Sequence, residues 1–468
     1  MKFSPKLFLL YIPWLLALLC SPLPQLSYLI AWLGSILILL FTVTGKIMPV
    51  PHDLPKKSQF MRPLFLTQVI FVGYMALTSV FFFMDTLGFR YFETLPYSLV
   101  DYRSLDLVAE CQRYYCLAHA SYTTGLLLLT RSYRHRKWEI HLSSSYSVFF
   151  IKATLVLIVL TAFFAVVPGL DQFAVKFRDL SYISSIMAFV YAIIEKNSQR
   201  ILISGFIFGF SFLAAFLSGW KEPIVVTIIV LGGYLYPMYR RTVTLAFVPL
   251  FLVSVFILPS YNSIFRQLSW GEGIASEQAA QSAFEAIQQG DVDFQTDNWS
   301  FLTDRLSEVS MFVEYVDKVP SRIDYFGSSI FTQSVLFLVP RVFWPDKPDV
   351  EQHVMQRVYK IGVINQNMDV SAKPPLVVDA YLTGGPFFIF FFLLLMGMLT
   401  AWISNQCEHL FGGYNFGSAW VFAGLFQILW RGTCMEFLFN SIFWGIITMY
   451  LMAFVMRKMG YIRPSHSS

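Results

Sequence analysis

Long apolar runs recur along most of this chain and are separated by short polar segments. Runs of roughly 17–25 residues are long enough to cross the hydrocarbon of a bilayer as helices, which satisfy their own backbone hydrogen bonds there. The pattern therefore predicts an all-α polytopic membrane protein with about twelve transmembrane helices. The predicted spans are 6–22, 26–43, 64–84, 114–132, 146–167, 180–196, 200–218, 223–239, 242–260, 383–404, 415–430 and 437–456.

Lysine and arginine in the flanks of the spans predict the orientation of the chain. Seventeen of them fall on the side that holds both termini, against seven in the short loops of the other side. Cytoplasmic segments carry such an excess, so we expect cytoplasmic N and C termini. The composition agrees with a membrane protein, because 56% of residues are hydrophobic and 13% are charged. The net charge of +5 is explained by topology and anionic lipid, and it requires no nucleic-acid partner.

Five cysteines, Cys20, Cys111, Cys116, Cys407 and Cys434, form no metal or disulfide framework by spacing. Cys111 and Cys116 lie on the predicted outer side, where either a bridge or two free thiols is compatible with the sequence.

One long segment breaks the membrane pattern and divides the chain into three regions. We predict a nine-helix N-terminal membrane bundle over 1–260, a large outer loop over 261–382, and a three-helix C-terminal bundle with a short cytoplasmic tail over 383–468. Residues 270–299 of this loop include several acidic residues and no lysine or arginine, which is typical of a solvated helix and a flexible connection. From Asp304 onward, cations mix with aromatic residues and prolines.

Cations gather where the chain should meet the outer headgroups. The apolar stretch 329–340 is too short to span, and Pro340 ends it, so we predict an interfacial segment that sets Arg341 and Lys347 at headgroup height. Lys221 and Arg431 fall at predicted outer ends of other helices, and Arg305 lies earlier in the loop. Snorkelling or surface ion pairs would explain any one of them, but their coincidence on one face favours a binding role.

Cations beside aromatic side chains suit a lipid-linked diphosphosugar. Arginine and lysine bind phosphate oxygens and can stabilise a diphosphate leaving group without a metal. Trp344 and Tyr381 are candidates to stack on sugar faces, although aromatic belts also mark membrane interfaces. Carboxylates near His353, among them Asp346, Asp349, Glu351 and Asp369, leave metal catalysis open as an alternative and include candidate general bases.

Three stretches of this sequence resemble a known family. The "PR.FWPDKP" pattern at 340–348, the "P.L..D....GG" step into a helix at 374–385 and the late arginine of "LWRGTCMEF" at 429–437 are similar to Wzy-type oligosaccharide repeat-unit polymerases. The likeness covers about 130 residues and the twelve-helix layout. It implies a fold similar to that of multi-helix, GT-C-like glycosyltransferases that use lipid-linked sugars.

The resemblance also implies an activity and its residues. A growing glycan would pass from undecaprenyl diphosphate to the non-reducing end of a new lipid-linked repeat unit, on the outer face of a bacterial cytoplasmic membrane and with a chain-length co-polymerase as partner. Arg341, Arg431 and Asp379 would carry the reaction, with Asp379 as general base. Arg305, Lys221, Lys347, Trp344 and Tyr381 would bind substrate; no metal or other cofactor is expected.

Two departures and two alternatives accompany this resemblance. Lys221 and Asp379 stand where the family often has arginine and glutamate. A glycan ligase would need the same grip on diphosphate. A flippase or transporter would need a polar path through the bilayer, and the predicted spans hold almost no ionisable residue at mid-depth.

Overall fold

The computed structural model of the chain is mostly helical, and the strands in its described part are short. It describes residues 4–91, 93–94, 100–130, 138–167, 169–216, 222–289, 294–306, 309–341, 343–344, 346–366 and 371–465. Helices of the N-terminal half are α1 (Ile12–Leu19), α2 (Pro24–Val43), α3 (Pro63–Phe71), α4 (Ser79–Thr86), α5 (Tyr102–Leu129), α6 (Tyr146–Val166), α7 (Asp171–Ile194), α8 (Ser198–Phe216), α9 (Glu222–Leu235) and α10 (Arg240–Phe256).

The later helices are α11 (Leu258–Arg266), α12 (Ser276–Gln289), α13 (Phe294–Ser300), α14 (Val309–Lys318), α15 (Ser329–Leu336), α16 (Val350–Ile361), α17 (Leu376–Leu410), α18 (Ala423–Leu425), α19 (Ile428–Arg431) and α20 (Met435–Lys458). Short 3-10 helices cover Pro5–Tyr11 and Lys56–Ser58, and π-helical turns cover Val72–Leu77, Gln267–Gly271, Phe301–Arg305 and Gly417–Phe422. Two antiparallel pairs join β1 (Phe89–Arg90) with β2 (Glu93–Thr94) and β3 (Trp138–Ile140) with β4 (Ile462–Pro464).

Six helical stretches in the described part of the chain are long and apolar enough to cross a membrane. They are Pro24–Val43, Pro63–Thr86, Tyr146–Val166, Asp171–Ile194, Leu376–Leu410 and Met435–Lys458, and each overlaps a predicted span. The prediction of an all-α membrane protein is therefore confirmed. Pro5–Leu19, Ser198–Ala214 and Val226–Leu235 are shorter apolar helices at other predicted spans.

The predicted span 415–430 is broken into several short pieces. A π-helical turn, Gly417–Phe422, leads into α18 and α19, and most of its side chains are buried among other helices. The break explains why this apolar run forms no helix of membrane length.

α5 lies at the centre of the bundle and packs most extensively against α17. Glycines allow the two backbones to touch, because a Cβ atom on Gly125 would lie 2.1 Å from the Leu394 carbonyl oxygen. A Cβ atom on Gly397 would likewise lie 2.0 Å from the Tyr122 carbonyl oxygen. Small residues at such a crossing are typical of helices that associate in membranes. No side chain at either glycine separates the helices there.

The long helices connect two ends of the bundle. α17 runs from Asp379 in its first turn to Glu408 near its last turn. At the Glu408 end, Arg62, which precedes α3, donates hydrogen bonds to Glu408 and Asp53 at 2.7–2.8 Å. At the Asp379 end, the Trp299 indole donates to Asp85 near the end of α4, at 2.8 Å. We use "Asp379 end" and "Glu408 end" for these two poles.

Both cysteines that could have bridged are free. Cys111 and Cys116 are buried in α5, and the other three cysteines are also free thiols. The possible disulfide between Cys111 and Cys116 is therefore not present in this structure.

Candidate functional site

Three charged side chains meet in the interior at the Asp379 end. Arg357 on α16 donates from Nη2 to Asp379 Oδ1 at 2.9 Å and from Nη1 to Glu436 Oε1 at 2.6 Å. The two carboxylates belong to the first turns of α17 and α20. Arg357, Asp379 and Glu436 are 6%, 0% and 0% exposed, so the ion pairs are shielded from water. We call these three residues the Arg357 cluster.

Helix starts orient the two carboxylates. α17 begins directly after Pro375, and Pro375 and Cys434 precede the two helices in extended conformation. The backbone N–H of Met435 donates to Asp379 Oδ2 at 2.8 Å, which satisfies one of the free donors that every helix start presents. Asp379 thus accepts one hydrogen bond on each oxygen, and each oxygen keeps a second acceptor position.

The electrostatic balance of the cluster holds Arg357 in its charged form. Burial disfavours the guanidinium, but Asp379 and then Glu436 outweigh burial and raise the pKa of Arg357 above its ordinary value. With all three groups ionised, one positive charge faces two negative charges. Arg357 Nε is buried and has no hydrogen-bond partner among the described residues.

The same cluster includes atoms that could ligate a metal ion. The Cys434 thiol and the carboxylates of Asp379 and Glu436 lie within 4.8 Å of one another. The Arg357 guanidinium already bonds both carboxylates, so a cation would have to displace it. The carboxylates near His353 are arranged differently: Asp349 caps α16 through Gln352 N–H at 3.0 Å, and Glu351 pairs with Lys373 at 3.2 Å. Asp369 lies outside the described residues.

Residues 329–340, which the sequence predicts to be an interfacial segment, form α15 and a short turn, and several apolar side chains of this stretch are exposed, as is that of Phe343. The exposed side chains of one face are Phe331, Val335, Leu336, Val339 and Phe343. On the other face, Ile330 and Phe337 are buried. Phe331 is partly exposed, and its ring also contacts Phe439 of α20 edge to face at 5.4 Å. The segment is amphipathic and continues into the polar residues that follow Pro340.

Lys347 fastens the end of the interfacial segment. Its ammonium group donates to the carbonyl oxygens of Phe337 and Val339 at 2.6 and 3.0 Å and is buried. Burial and then the charge of Arg341 lower the pKa of Lys347, while Asp171 opposes that shift. Arg341 itself is exposed and has no carboxylate partner among the described residues. Lys347 therefore holds the backbone in place, and Arg341 is the cation that faces outward.

Arg431 occupies the turn before α20. It donates to Gln427 Oε1 at 2.7 Å and is half-buried, and it lies near enough to Lys176 of α7 for their charges to interact. The Lys176 ammonium group is buried and donates to the Leu425 carbonyl oxygen at 3.0 Å. Arg431 precedes Glu436 of the Arg357 cluster by five residues in the chain.

The aromatic candidates have different surroundings. Trp344 is half-buried in the turn that follows Arg341. Tyr381 is 2% exposed, its hydroxyl donates to the Val319 carbonyl oxygen at 2.7 Å, and its ring packs against Phe312 and Tyr325. Tyr381 thus connects α17 to the turn that follows α14. Its ring is buried and is not accessible for stacking on a sugar.

Two predicted binding residues cannot be placed. Lys221 lies outside the described residues, and Arg305 ends the π-helical turn Phe301–Arg305 with a side chain outside the described part. The structure brings Arg341 and Lys347 close enough for their charges to interact, and it places Arg431 at the end of α19, five residues before Glu436. The sequence does not predict Arg357 and Glu436 as site residues. Arg357 lies 22 residues before Asp379 and 79 residues before Glu436, and no motif connects positions at those separations.

Comparison with known proteins gives one family match for this chain. The model of a family described as "Domain of unknown function (DUF8712)" matches residues 12–464. No curated protein and no solved structure matches the chain. The chemistry of the site must therefore be argued from the residues of this chain.

Proposed function

This chain belongs to the DUF8712 family, and we propose that it is a glycosyltransferase that polymerises lipid-linked oligosaccharide repeat units. The donor and acceptor would be undecaprenyl-diphosphate-linked, and the growing glycan would move to the non-reducing end of a new unit. One observation supports this most: the interfacial segment and the Arg357 cluster both pack on the first part of α20. Arg341, which we propose to lie at headgroup height, thus follows a helix that packs on the same part of α20 as the buried carboxylates.

Arg341 is our candidate for the first contact with the lipid diphosphate. It follows an apolar helix whose exposed face would lie in the outer leaflet, so its guanidinium would lie at the depth of the headgroups. Lys347, fixed by two carbonyl oxygens, would add positive charge beside it. One guanidinium group can donate two parallel hydrogen bonds to two phosphate oxygens, and such a bidentate contact would orient the diphosphate.

Arg431 would stabilise the diphosphate as it leaves. Charge develops on the leaving oxygen in the transition state, and fixed donors that face this oxygen lower the barrier. Gln427 holds the Arg431 guanidinium, and Lys176 adds a second positive charge nearby. Arg305 and Lys221 stay proposed phosphate contacts, and Trp344 stays the proposed wall for a sugar or headgroup.

Asp379 is our candidate for the base that takes the proton of the acceptor hydroxyl. Its carboxylate is held by Arg357 and by the N–H of Met435, and it retains one acceptor position on each oxygen. Because Asp379 is fully buried, the acceptor can reach it only if the start of α17 or the Arg357 contact moves. Glu436 would keep Arg357 charged and in place during that movement.

The rest of the proposal concerns location and partners. The Asp379 end would face the outside of a bacterial cytoplasmic membrane, both termini would be cytoplasmic, and the twelve predicted spans would cross it. A chain-length co-polymerase is the expected protein partner. A ligase for finished glycan is the second candidate, since Arg341 and Arg431 would serve its diphosphate donor equally well.

Reconstitution tests the activity directly. The purified full chain in proteoliposomes without an ion gradient should convert lipid-linked repeat units into a ladder of longer glycans on a gel. A ligase would leave single repeats unjoined, and a transporter would move them without making any glycosidic bond. If no ladder forms with active donor and acceptor present, the polymerase proposal is wrong.

Two arginines provide the matched comparison. Arg341→Ala should lower the polymerisation rate by about 10²–10³-fold, the usual cost of losing one donor to a developing anion. Arg322→Ala removes another exposed arginine from the same loop and should leave the rate unchanged. Expression and thermal unfolding should match the parent chain in both variants, so a rate loss can be assigned to chemistry. Equal rates for both variants would remove Arg341 from the mechanism.

A further inference from the structure

A second candidate binding region lies at the Glu408 end, far from the Arg357 cluster. It is a groove of about 800 Å³ between α2, α3, α9 and α10. Glu408 and Asp379 are 29 residues apart on α17, which corresponds to roughly 40 Å of helix at 1.5 Å per residue. The groove adjoins Phe60 and Phe65, on either side of Arg62, so it belongs to the pole opposite the proposed reaction.

The walls of the groove are almost entirely apolar. They include Leu39, Leu40 and Val43 of α2, Ile228 and Ile229 of α9, and Phe247 and Val248 of α10. Gly232 and Gly233 line it as well, and a Cβ atom on either would lie within 3 Å of a phenylalanine ring carbon. The space is therefore shaped for hydrocarbon and has no side-chain carboxylate in its described lining.

Positive charge is confined to one rim. Lys56 and Lys57 line the groove and are exposed, and Lys56 donates to the carbonyl oxygen of Thr44, which follows α2. Asp53, the carboxylate nearest in sequence, is bonded to Arg62. Among the described residues, neither Lys56 nor Lys57 forms an ion pair. Arg240 adds a third exposed cation, with its guanidinium over the ring of the groove residue Tyr236 at 5.8 Å.

We propose that this groove binds one anionic phospholipid, with its acyl chains between α2, α3, α9 and α10 and its phosphate at Lys56 and Lys57. Charge complementarity selects this occupant, because an apolar cleft with unpaired lysines at one rim matches an amphiphile with a single anionic head. Basic pockets between transmembrane helices bind anionic headgroups in this way. The inference does not depend on the proposed glycosyl transfer.

Native mass spectrometry of the full chain in detergent tests this site. Delipidated protein is titrated with phosphatidylglycerol or with phosphatidylcholine of the same acyl chains. We expect phosphatidylglycerol to bind more tightly than phosphatidylcholine. The double variant Lys56→Gln, Lys57→Gln should weaken phosphatidylglycerol binding by roughly 30-fold, because each lysine contributes about 1 kcal/mol of attraction to an anionic headgroup. Lys196→Gln with Lys458→Gln removes two exposed lysines elsewhere and should leave binding unchanged.

A second pair of variants tests the apolar part of the groove without changing charge. Val248→Trp fills the groove and should abolish the bound lipid, whereas Leu245→Trp lies outside its lining and should not. Equal binding of both lipids, or full binding by Val248→Trp, would overturn the proposal. So would a dimer whose formation excludes lipid, because the occupant would then be a second copy of the chain. Unchanged melting temperatures across the variants show that each still folds.

Discussion

Arg357 connects elements that are far apart in the chain. Its guanidinium, on α16, bonds carboxylates on α17 and α20, which are 22 and 79 residues later. The two buried carboxylates depend on this arginine, because an uncompensated charge in the interior is costly. The cluster therefore holds α16 to two long helices, α17 and α20, whatever its part in chemistry.

Removing Arg357 should unfold the Asp379 end at lower temperature. We expect Arg357→Ala to cost about 3–5 kcal/mol, since it leaves Asp379 and Glu436 buried without a counter-charge. Thermal unfolding in detergent measures this loss, with the exposed Arg322→Ala as control. The neutral triple variant Arg357→Met, Asp379→Asn and Glu436→Gln should recover part of the stability. If Arg357→Ala melted like the parent chain, the ion pairs would not hold the fold.

Sequence reasoning could find Asp379 but not its partners. The "P.L..D....GG" pattern singled out Asp379, and Arg357 was visible only as one of several cations in the loop. Nothing in spacing indicates which cation reaches the interior, because that depends on how α16 packs against α17 and α20. Lys347 shows the opposite case: its position was predicted, and its ammonium group bonds backbone carbonyls instead of facing outward.

At the scale of single elements, α17 is helical before and after an internal break. The sequence predicts a span that starts at residue 383, but the helix starts at Leu376 and has non-helical backbone at Gly384 and Gly385. The predicted boundary between outer loop and membrane bundle thus falls inside one element. The break frees the carbonyl oxygens of Leu382 and Thr383, which accept hydrogen bonds from the N–H groups of Phe326 and Gly327 at 2.9 and 3.0 Å.

Gly385 should tolerate no side chain, while its neighbour should. Gly385 has φ of 66° and ψ of −156°, a region open almost only to glycine, and a Cβ atom there would lie 2.8 Å from the Tyr325 hydroxyl oxygen. We expect Gly385→Ala to cost about 1–3 kcal/mol. Gly384 has an extended φ of −173°, and a Cβ atom there would lie 3.3 Å from Phe388 Cβ, so Gly384→Ala is the control with the weaker steric conflict. Chemical unfolding of both variants checks the difference, and equal stability would contradict it.

At the scale of the whole molecule, the hydrophobic pattern predicts where the helices lie in the chain. It says less about which helices are exposed and which are buried among others. The apolar runs at 26–43, 146–167 and 437–456 form largely exposed helices that are long enough to cross a membrane. Their length and apolar composition are sufficient to predict such helices. α5 is buried on most sides and carries more polar residues than a lipid-facing span, so only its packing against α2 and α17 identifies it as central. Contacts between distant segments, such as Arg62 with Glu408, leave no signal in a single sequence.

The orientation of the bundle gives a prediction for the whole chain. Single cysteines are introduced at Asp346 and Ser321 for the Asp379 end, and at Lys57 and Lys458 for the Glu408 end, in a Cys20→Ser background. An impermeant maleimide should label the first two in intact spheroplasts and the other two only after permeabilisation. The native cysteines other than Cys20 are buried, which keeps the background low. Labelling in the reverse order would invert the proposed topology.

The contact between α5 and α17 has a consequence for motion. Where Gly125 and Gly397 place the two backbones against each other, neither helix can shift without losing direct main-chain contact. The break at Gly384 and Gly385 lies on the Asp379 side of that crossing, and helices bend most easily where their hydrogen-bond ladder is already interrupted. Rearrangement around Asp379 can therefore stay local, so that events at one surface of the bilayer leave the opposite surface, with its lysine-rimmed groove, undisturbed.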